Sequence, residues 1–428
     1  MNFQSKGEGI MKKVLLSLLL VSIIFLLFAD RGNAIPAFAR KHSFNCNMCH
    51  TAYPKLNDFG QRFRDNGYQI PGQVGGEKSI FATSPPIAIR ALPGYDIYKT
   101  ECCKMNSFHI FGVDILAAGV FHENLSFLFI YTPRIDEPAA DYTGPQDGLN
   151  PRQLASVESA NVVFSNVIDN KLNFRVGRFE PSYLPFSAKR SYYLFSPYEI
   201  YDFATPMNTF IVGDNQLGIE AAGHFKSGFK YAVGFMNGNN GNPDNNNNKD
   251  IYFRLLKTFG RGDGQSAGQR IGIFGIYGMQ PTSFYGSIVS PFGETDGFIN
   301  KQFYRIGLDA SINWSTLNFQ FLYMIGKDDK ALNTLRPTED YEYSGGFAQI
   351  DWAVMKNNRL VLSLLYNWVF PPDYDEQGKL KTYSVLGRYY LGNWEAVNVA
   401  LHLEYTYKGR TICRFREDII GMVIDFAF

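Results

Sequence analysis

From Pro85 to Phe428 the chain alternates apolar and polar residues with a period of two, in one run after another. Successive side chains of a strand point to opposite faces, so each such run predicts a strand with one apolar and one polar face. The last run is the clearest. Ile420, Met422, Ile424, Phe426 and Phe428 form an apolar row, and Gly421, Asp425 and Ala427 sit between them. In the run before it, Val397, Val399, Leu401, Leu403 and Tyr405 alternate with Asn398, Ala400, His402, Glu404 and Thr406. Sixteen strands are predicted in all, at 85–98, 106–119, 123–133, 156–166, 171–178, 216–225, 228–236 and 250–259, and then at 270–279, 301–312, 316–326, 341–354, 359–370, 381–391, 394–407 and 417–428.

Connection lengths give the strands an architecture. Those after the third, fifth, seventh, ninth, eleventh and thirteenth strands are long, for example 134–155 and 179–215. Those after the second, fourth, sixth, tenth, twelfth and fourteenth are tight, for example Gly392-Asn393, and Gly-rich 260–269 is the longest on the short side. A soluble sandwich also alternates in pattern. Long and short ends that take turns describe instead an antiparallel outer-membrane β-barrel, with long external loops and with short turns and both termini in the periplasm. The Asn-rich stretch Asn237 to Asn248 and the acidic segment Asp136 to Pro151 then become surface loops. By the same alternation Arg175, Arg254, Arg305, Asp309, Arg388, His402 and Glu404 point into the lumen, where a hydrated porin wall is the expected surrounding.

Composition agrees with a β-rich chain. Of 428 residues 45% are apolar and 19% charged, and 26 Tyr, 37 Phe and 40 Gly favour sheets and turns over helices. Lys plus Arg (41) nearly cancels Asp plus Glu (40), so the basic excess that a nucleic-acid binder needs is missing. After Pro85 no segment reaches the ~20 consecutive apolar residues of a membrane helix, so a membrane would be crossed by strands. At the other end Lys12 and Lys13 precede a mostly apolar run from Val14 to Ala29, and Gly32-Asn33-Ala34 supplies small residues where a signal peptidase reads. Residues 1–34 are expected to be a secretory signal starting at Met11 and cleaved after Ala34, with a retained membrane anchor as the other reading.

The residues after that signal carry the chemistry. In Cys46-Asn47-Met48-Cys49-His50 two thiols are placed to form thioethers with the vinyl groups of one haem, and His50 to bind its iron. A redox CxxC would need a thioredoxin-like context, and a zinc site two more nearby ligands; neither set is present in the neighbouring sequence. Pro54 suits a turn, Asn57 or Asp58 an N-cap, and Phe59, Arg62-Phe63 and Asn66 fall at helical spacing before a Gly67 stop. About forty residues bury too little surface to hold a haem unaided. The expected organisation is therefore a haem domain at 35–80 entering the lumen of a barrel at 81–428.

The string Pro36-x-Phe38-Ala39-Arg40, then CxxCH, then Pro54-x-Leu56-x-x-Phe59-Gly60-x-x-Phe63-x-x-x-Gly67-Tyr68 resembles the N-terminal domain of the outer-membrane monohaem cytochrome-porin fusions, which include iron oxidases of Fe(II)-oxidising bacteria. A chain ending in Phe on such a strand is likewise similar to bacterial outer-membrane barrels. The resemblance implies an all-β fold of about sixteen antiparallel strands in the outer membrane, plugged by a small, mostly irregular or helical c-type haem domain. It also implies an Fe(II)-oxidising cytochrome with one covalent haem c, which takes electrons from extracellular Fe(II) or another reduced donor to a periplasmic c-type cytochrome or other carrier. Outward flow to an extracellular acceptor, and a solute or anion porin with a structural haem domain, remain the alternatives. Asp136, Glu137 and Asp141 are candidates for drawing cations to the external mouth, or simply a solvated loop.

For the second iron ligand the candidates are His402, part-way up the fifteenth strand, and His224, near the periplasmic end of the sixth, each with an ordinary reading as a lumen histidine. Met48 and His42 lie too near the anchoring cysteines. Cys102 and Cys103 follow the first strand and Cys413 precedes the last. These strands meet where a barrel closes, so a staple between Cys413 and either Cys102 or Cys103 is one expectation; a Cys102-Cys103 bond or free thiols are the others.

Overall fold

The computed structural model describes residues 37–42, 44, 46–70, 79, 87–133, 156–260, 268–282, 300–355, 358–393, 398–411 and 416–427. The expected signal at 1–34, the acidic segment at Asp136 to Pro151, Cys413 and Phe428 lie outside these residues. A short strand pair, β1 (His50–Ala52) and β2 (Lys55–Leu56), comes first. The strands that follow are β3 (Ile87–Thr100), β4 (Lys104–His122), β5 (Leu125–Thr132), β6 (Ser156–Phe164), a stub β7 (Val167–Asn170), β8 (Asn173–Phe179), β9 (Gln216–His224), β10 (Phe229–Met236) and β11 (Asp250–Phe259). After them come β12 (Gln269–Pro281), β13 (Asn300–Trp314), β14 (Leu317–Asp328), β15 (Tyr341–Ala353), β16 (Leu360–Phe370), β17 (Leu380–Asn393), β18 (Asn398–Arg410) and β19 (Arg416–Ala427).

All but β1, β2 and β7 join one closed antiparallel barrel of sixteen strands, sealed where β19 pairs with β3. Each of the sixteen expected strands is found. Alternation decides which face of each strand goes where. Ile420, Met422 and Ile424 of β19 are exposed on the outside, while Gly421, Val423 and Asp425 between them are buried inside. Ile271 and Ile273 of β12, Ile306 and Leu308 of β13 and Leu401 and Leu403 of β18 are exposed in the same way. An exposed apolar band of this extent around a closed barrel is the surface a bilayer covers.

The lumen departs from expectation. The connection at 180–215, expected on the surface, turns inward and forms the core together with inward-facing strand residues. Tyr183, Tyr192, Tyr193, Ile200 and Tyr201 are fully buried, and Tyr198 stacks on Phe347 of β15 at 4.1 Å between ring centroids. Gly421 makes room for this connection, since a Cβ there would collide with the Phe195 ring. With the interior filled, the inward charges are not a hydrated wall. Arg254 reaches Asp309 (2.8 Å to Oδ1), Arg305 reaches Asp328 (2.6 Å), Arg175 reaches Glu220 (2.5 Å), and Arg90 and Arg388 converge on Asp425 (2.6 and 2.5 Å). An ion removed from water must be paired, and each of these is.

Candidate functional site

The Cys46–His50 motif forms a helical turn, Cys46–Cys49, and passes directly into β1 at His50. Its position is held from the C-terminal side. Asn57 N–H donates to Cys49 O (2.9 Å), Asn57 Nδ2 donates to Met48 O (3.0 Å), and Asn57 Oδ1 accepts from Gly60 N (2.8 Å) as the N-cap of the helix Asp58–Asp65. One side chain thus starts that helix and ties it to the motif. Gly60 permits the approach, because a Cβ there would run into the Cys49 carbonyl. The helix stops at Asn66, with Gly67 beyond it at φ +67°, a left-handed conformation that suits glycine.

His50 Nδ1 lies 3.1 Å from Pro54 O. A carbonyl can only accept, so Nδ1 carries the proton and Nε2 is the nitrogen left to face a metal. Burial pushes the imidazole down to about 4, against weaker opposing contacts from Pro54 and Lys55, so it is neutral at ordinary pH, the form that ligates iron. Beside the motif Phe38, Phe44, Phe59, Phe63, Tyr68 and His42 form one connected set of rings, with Phe38 stacked on Tyr68 at 4.8 Å and Phe59 stacked on Phe63 at 6.2 Å. Such a wall suits a flat, apolar macrocycle. The Cys46 side chain lies outside those described; Cys49 is partly buried.

Residues 50–69 are bonded to the inside of the barrel on several sides. Lys55 donates to Asn318 Oδ1 (2.7 Å) on β14 and pairs with Asp351 on β15. Tyr390 on β17 donates to Tyr53 O, and Asn358 to Thr51 O. Ser165 Oγ donates to Asn66 O (3.0 Å), Asn173 Nδ2 to Asp65 O (3.1 Å), and Arg270 on β12 to Gln61 (2.6 Å). Burial alone would raise the Asp65 carboxyl, but Lys230, Arg64 and His224 hold it well below the usual carboxylate range.

The two histidines considered for the far side of the iron have other partners. His224 Nε2 is 3.2 Å from Asp65 Oδ2, at the end of the helix distant from His50. His402 is buried with Nε2 at 2.9 Å from Glu404 Oε2, and Glu404 also accepts from the N–H groups of Leu194 (2.8 Å) and Phe195 (3.2 Å). Cys102 and Cys103 are exposed thiols, both near Thr100 Oγ1 (3.3 and 3.1 Å). Sequence reasoning missed Asn57 as a clamp on the motif and Glu404 as the anchor of the inward connection. The aromatic density of 180–215 was the available signal for the second.

No protein-family profile matches the chain, and no curated protein does. Solved structures do. OmpT of Vibrio cholerae in its trimer form covers 80% of this chain and 99% of its own, with a TM-score of 0.52 at 11% identity. The anion-selective porin from Comamonas acidovorans covers 81% and 100% (0.51, 12%), and OprB of Pseudomonas putida covers 80% and 94% (0.52, 10%). The chain therefore has the fold of a sixteen-stranded outer-membrane porin.

Proposed function

We propose that this porin-like barrel carries one covalent haem c and serves one-electron transfer across the outer membrane. The observation that carries the reading is His50, the last residue of a CxxCH motif, neutral and oriented by Pro54 O with Nε2 left for iron. Cys46 and Cys49 would hold the group as thioether anchors. Bound there, haem c supplies a one-electron Fe(III)/Fe(II) couple. The chain's own part is positional. Asn57 clamps the motif, the bond to Pro54 O makes the imidazole a stronger donor, and the aromatic rings exclude water. Lys55 and Asp65 fasten the module to the barrel. His402 or His224 would supply the second ligand, each with a ring nitrogen that has no hydrogen-bond partner among the described residues. In this reading the donor is extracellular Fe(II) and the acceptor a periplasmic c-type cytochrome.

The test is to express the chain with a c-type haem maturation system, purify it and reconstitute it in phospholipid vesicles. A dithionite-reduced α band that is lost in the Cys46→Ala/Cys49→Ala variant, and reduction of that band by Fe(II) added outside, are expected. A protein without covalent haem sinks the proposal.

A second reading, a solute or anion porin with a structural N-terminal module, is favoured by the porins that share the fold, one of them anion-selective. Stable conductance of the haem-loaded protein in planar bilayers, with no reduction by Fe(II), would select it. Arg254, Arg305 and Arg388 are each paired with a buried carboxylate, so their charge is already balanced within the barrel.

A further inference from the structure

On the outer face of β17, β18 and β19 the register lines up residues in rows that descend from the external rim. The first row is Lys381, Gly409 and Arg416; the second is Tyr383, Tyr407 and Asp418. The third is Val385, Tyr405 and Ile420, and the fourth is Gly387, Leu403 and Met422. Successive rows are two residues apart, about 7 Å along a strand. Charge thus gives way to tyrosine and then to the apolar band within roughly 14 Å. This places Lys381 and Arg416 at the level of lipid headgroups. Their counterpart on another stretch of the rim, Lys327 of β14, is paired with Asp340 (2.8 Å) and Glu342 (2.7 Å). Lys381 and Arg416 form no ion pair with any described residue, and Asp418 is engaged by the Tyr405 hydroxyl (2.6 Å).

A cavity of about 600 Å³ opens here, lined by Lys379, Lys381, Arg410 and Arg416 together with Tyr383 and Tyr407. Glu101 is the one acidic residue of its lining. Lys379 already meets Asp373 at 3.1 Å, which leaves Lys381 and Arg416 as the cations of the outer face at the opening.

The geometry points to a binding site for a phosphorylated glycolipid of the outer leaflet, with its phosphate against Lys381 and Arg416 and its acyl chains along Val385, Leu403 and Ile420. Guanidinium and ammonium groups together suit a phosphate, which offers several acceptor oxygens on one centre. Tyrosines just below are the amphipathic layer between headgroup and acyl chain. A free phosphate would use the same cations but would gain nothing from the apolar rows, and this separates the two sources.

The test uses the purified full-length protein in detergent micelles. Binding of bisphosphorylated lipid A, of the same lipid with its phosphates removed, and of inorganic phosphate is measured by native mass spectrometry and by titration. The bisphosphorylated lipid is expected to bind, with the Lys381→Gln/Arg416→Gln variant weakened roughly thirty-fold, as expected for two interfacial charges. The variant's barrel is checked by heat-modifiable gel migration, and Lys327→Gln, at the paired site, is expected to bind as the wild type does. Equal binding of the dephosphorylated lipid, equal binding by the double variant, or competition by inorganic phosphate at the lipid's own concentration overturns the site.

Discussion

Two guanidinium groups converge on one carboxylate at Asp425, where Arg90 and Arg388 both donate and all three residues are buried. Removing the carboxylate's charge strands two cations inside the barrel. Asp425→Asn is expected to cost about 3–5 kcal/mol, read as a lower urea midpoint in micelles. The combined Arg254→Met/Asp309→Leu change, which removes both partners of a buried pair, is expected to be close to neutral. Equal losses from the two variants would show that pairing is not what matters. Asn57 tests the other kind of residue. Asn57→Ala deletes the N-cap at a cost of about 1 kcal/mol and frees the Cys46–Cys49 turn. It is therefore expected to lower covalent haem per protein while leaving barrel unfolding unchanged. The cap itself was readable from sequence, since Asn57 or Asp58 precedes residues at helical spacing. Its bond to Met48 O was not, because local pattern does not say what a capping side chain also reaches.

Among the elements, the connection at 180–215 changes the picture most. It fills the lumen with aromatic side chains, and Glu404 holds it by accepting from two of its backbone N–H groups. Glu404→Gln keeps the shape but loses charge-assisted acceptance. We expect the variant to show a higher single-channel conductance in planar bilayers than the wild type; an unchanged trace would mean that this anchor does not keep the lumen closed. From the sequence this connection was placed outside by its length alone. Its tyrosines and phenylalanines could be assigned an interior only once the strands had closed around them. The strands are the opposite case. Each was visible, because a barrel wall imposes inside-outside alternation on every residue it contains.

For the whole molecule, residues 50–69 are bonded to the inside of the barrel, and acid probes the part of that attachment that runs through Asp65. Asp65 lies well below the usual carboxylate value of about 3.9 because Lys230 and Arg64 outweigh the effect of burial. A lowered folded value means that the pairing contributes fully above the usual value and is lost as pH falls through the lower one. Hydrogen exchange of the amides of 58–69 should therefore be as well protected at pH 5 as at pH 7 and should rise below about pH 4. Asp65→Asn should raise it at pH 7 and at pH 5 alike. Loss of protection already between pH 7 and 5 would place the attachment elsewhere.

By itself the sequence determined the strand count, the inward and outward faces and the Cys46–His50 motif, since each of these is written in residues two to five positions apart. Only the tertiary structure decided that the lumen is packed rather than wet, that its arginines are paired, and that His402 and His224 answer to Glu404 and Asp65. The physical reason is closure. A barrel brings Arg90 to Asp425 and Lys55 to Asp351 across hundreds of residues, and no local period records which charges will meet.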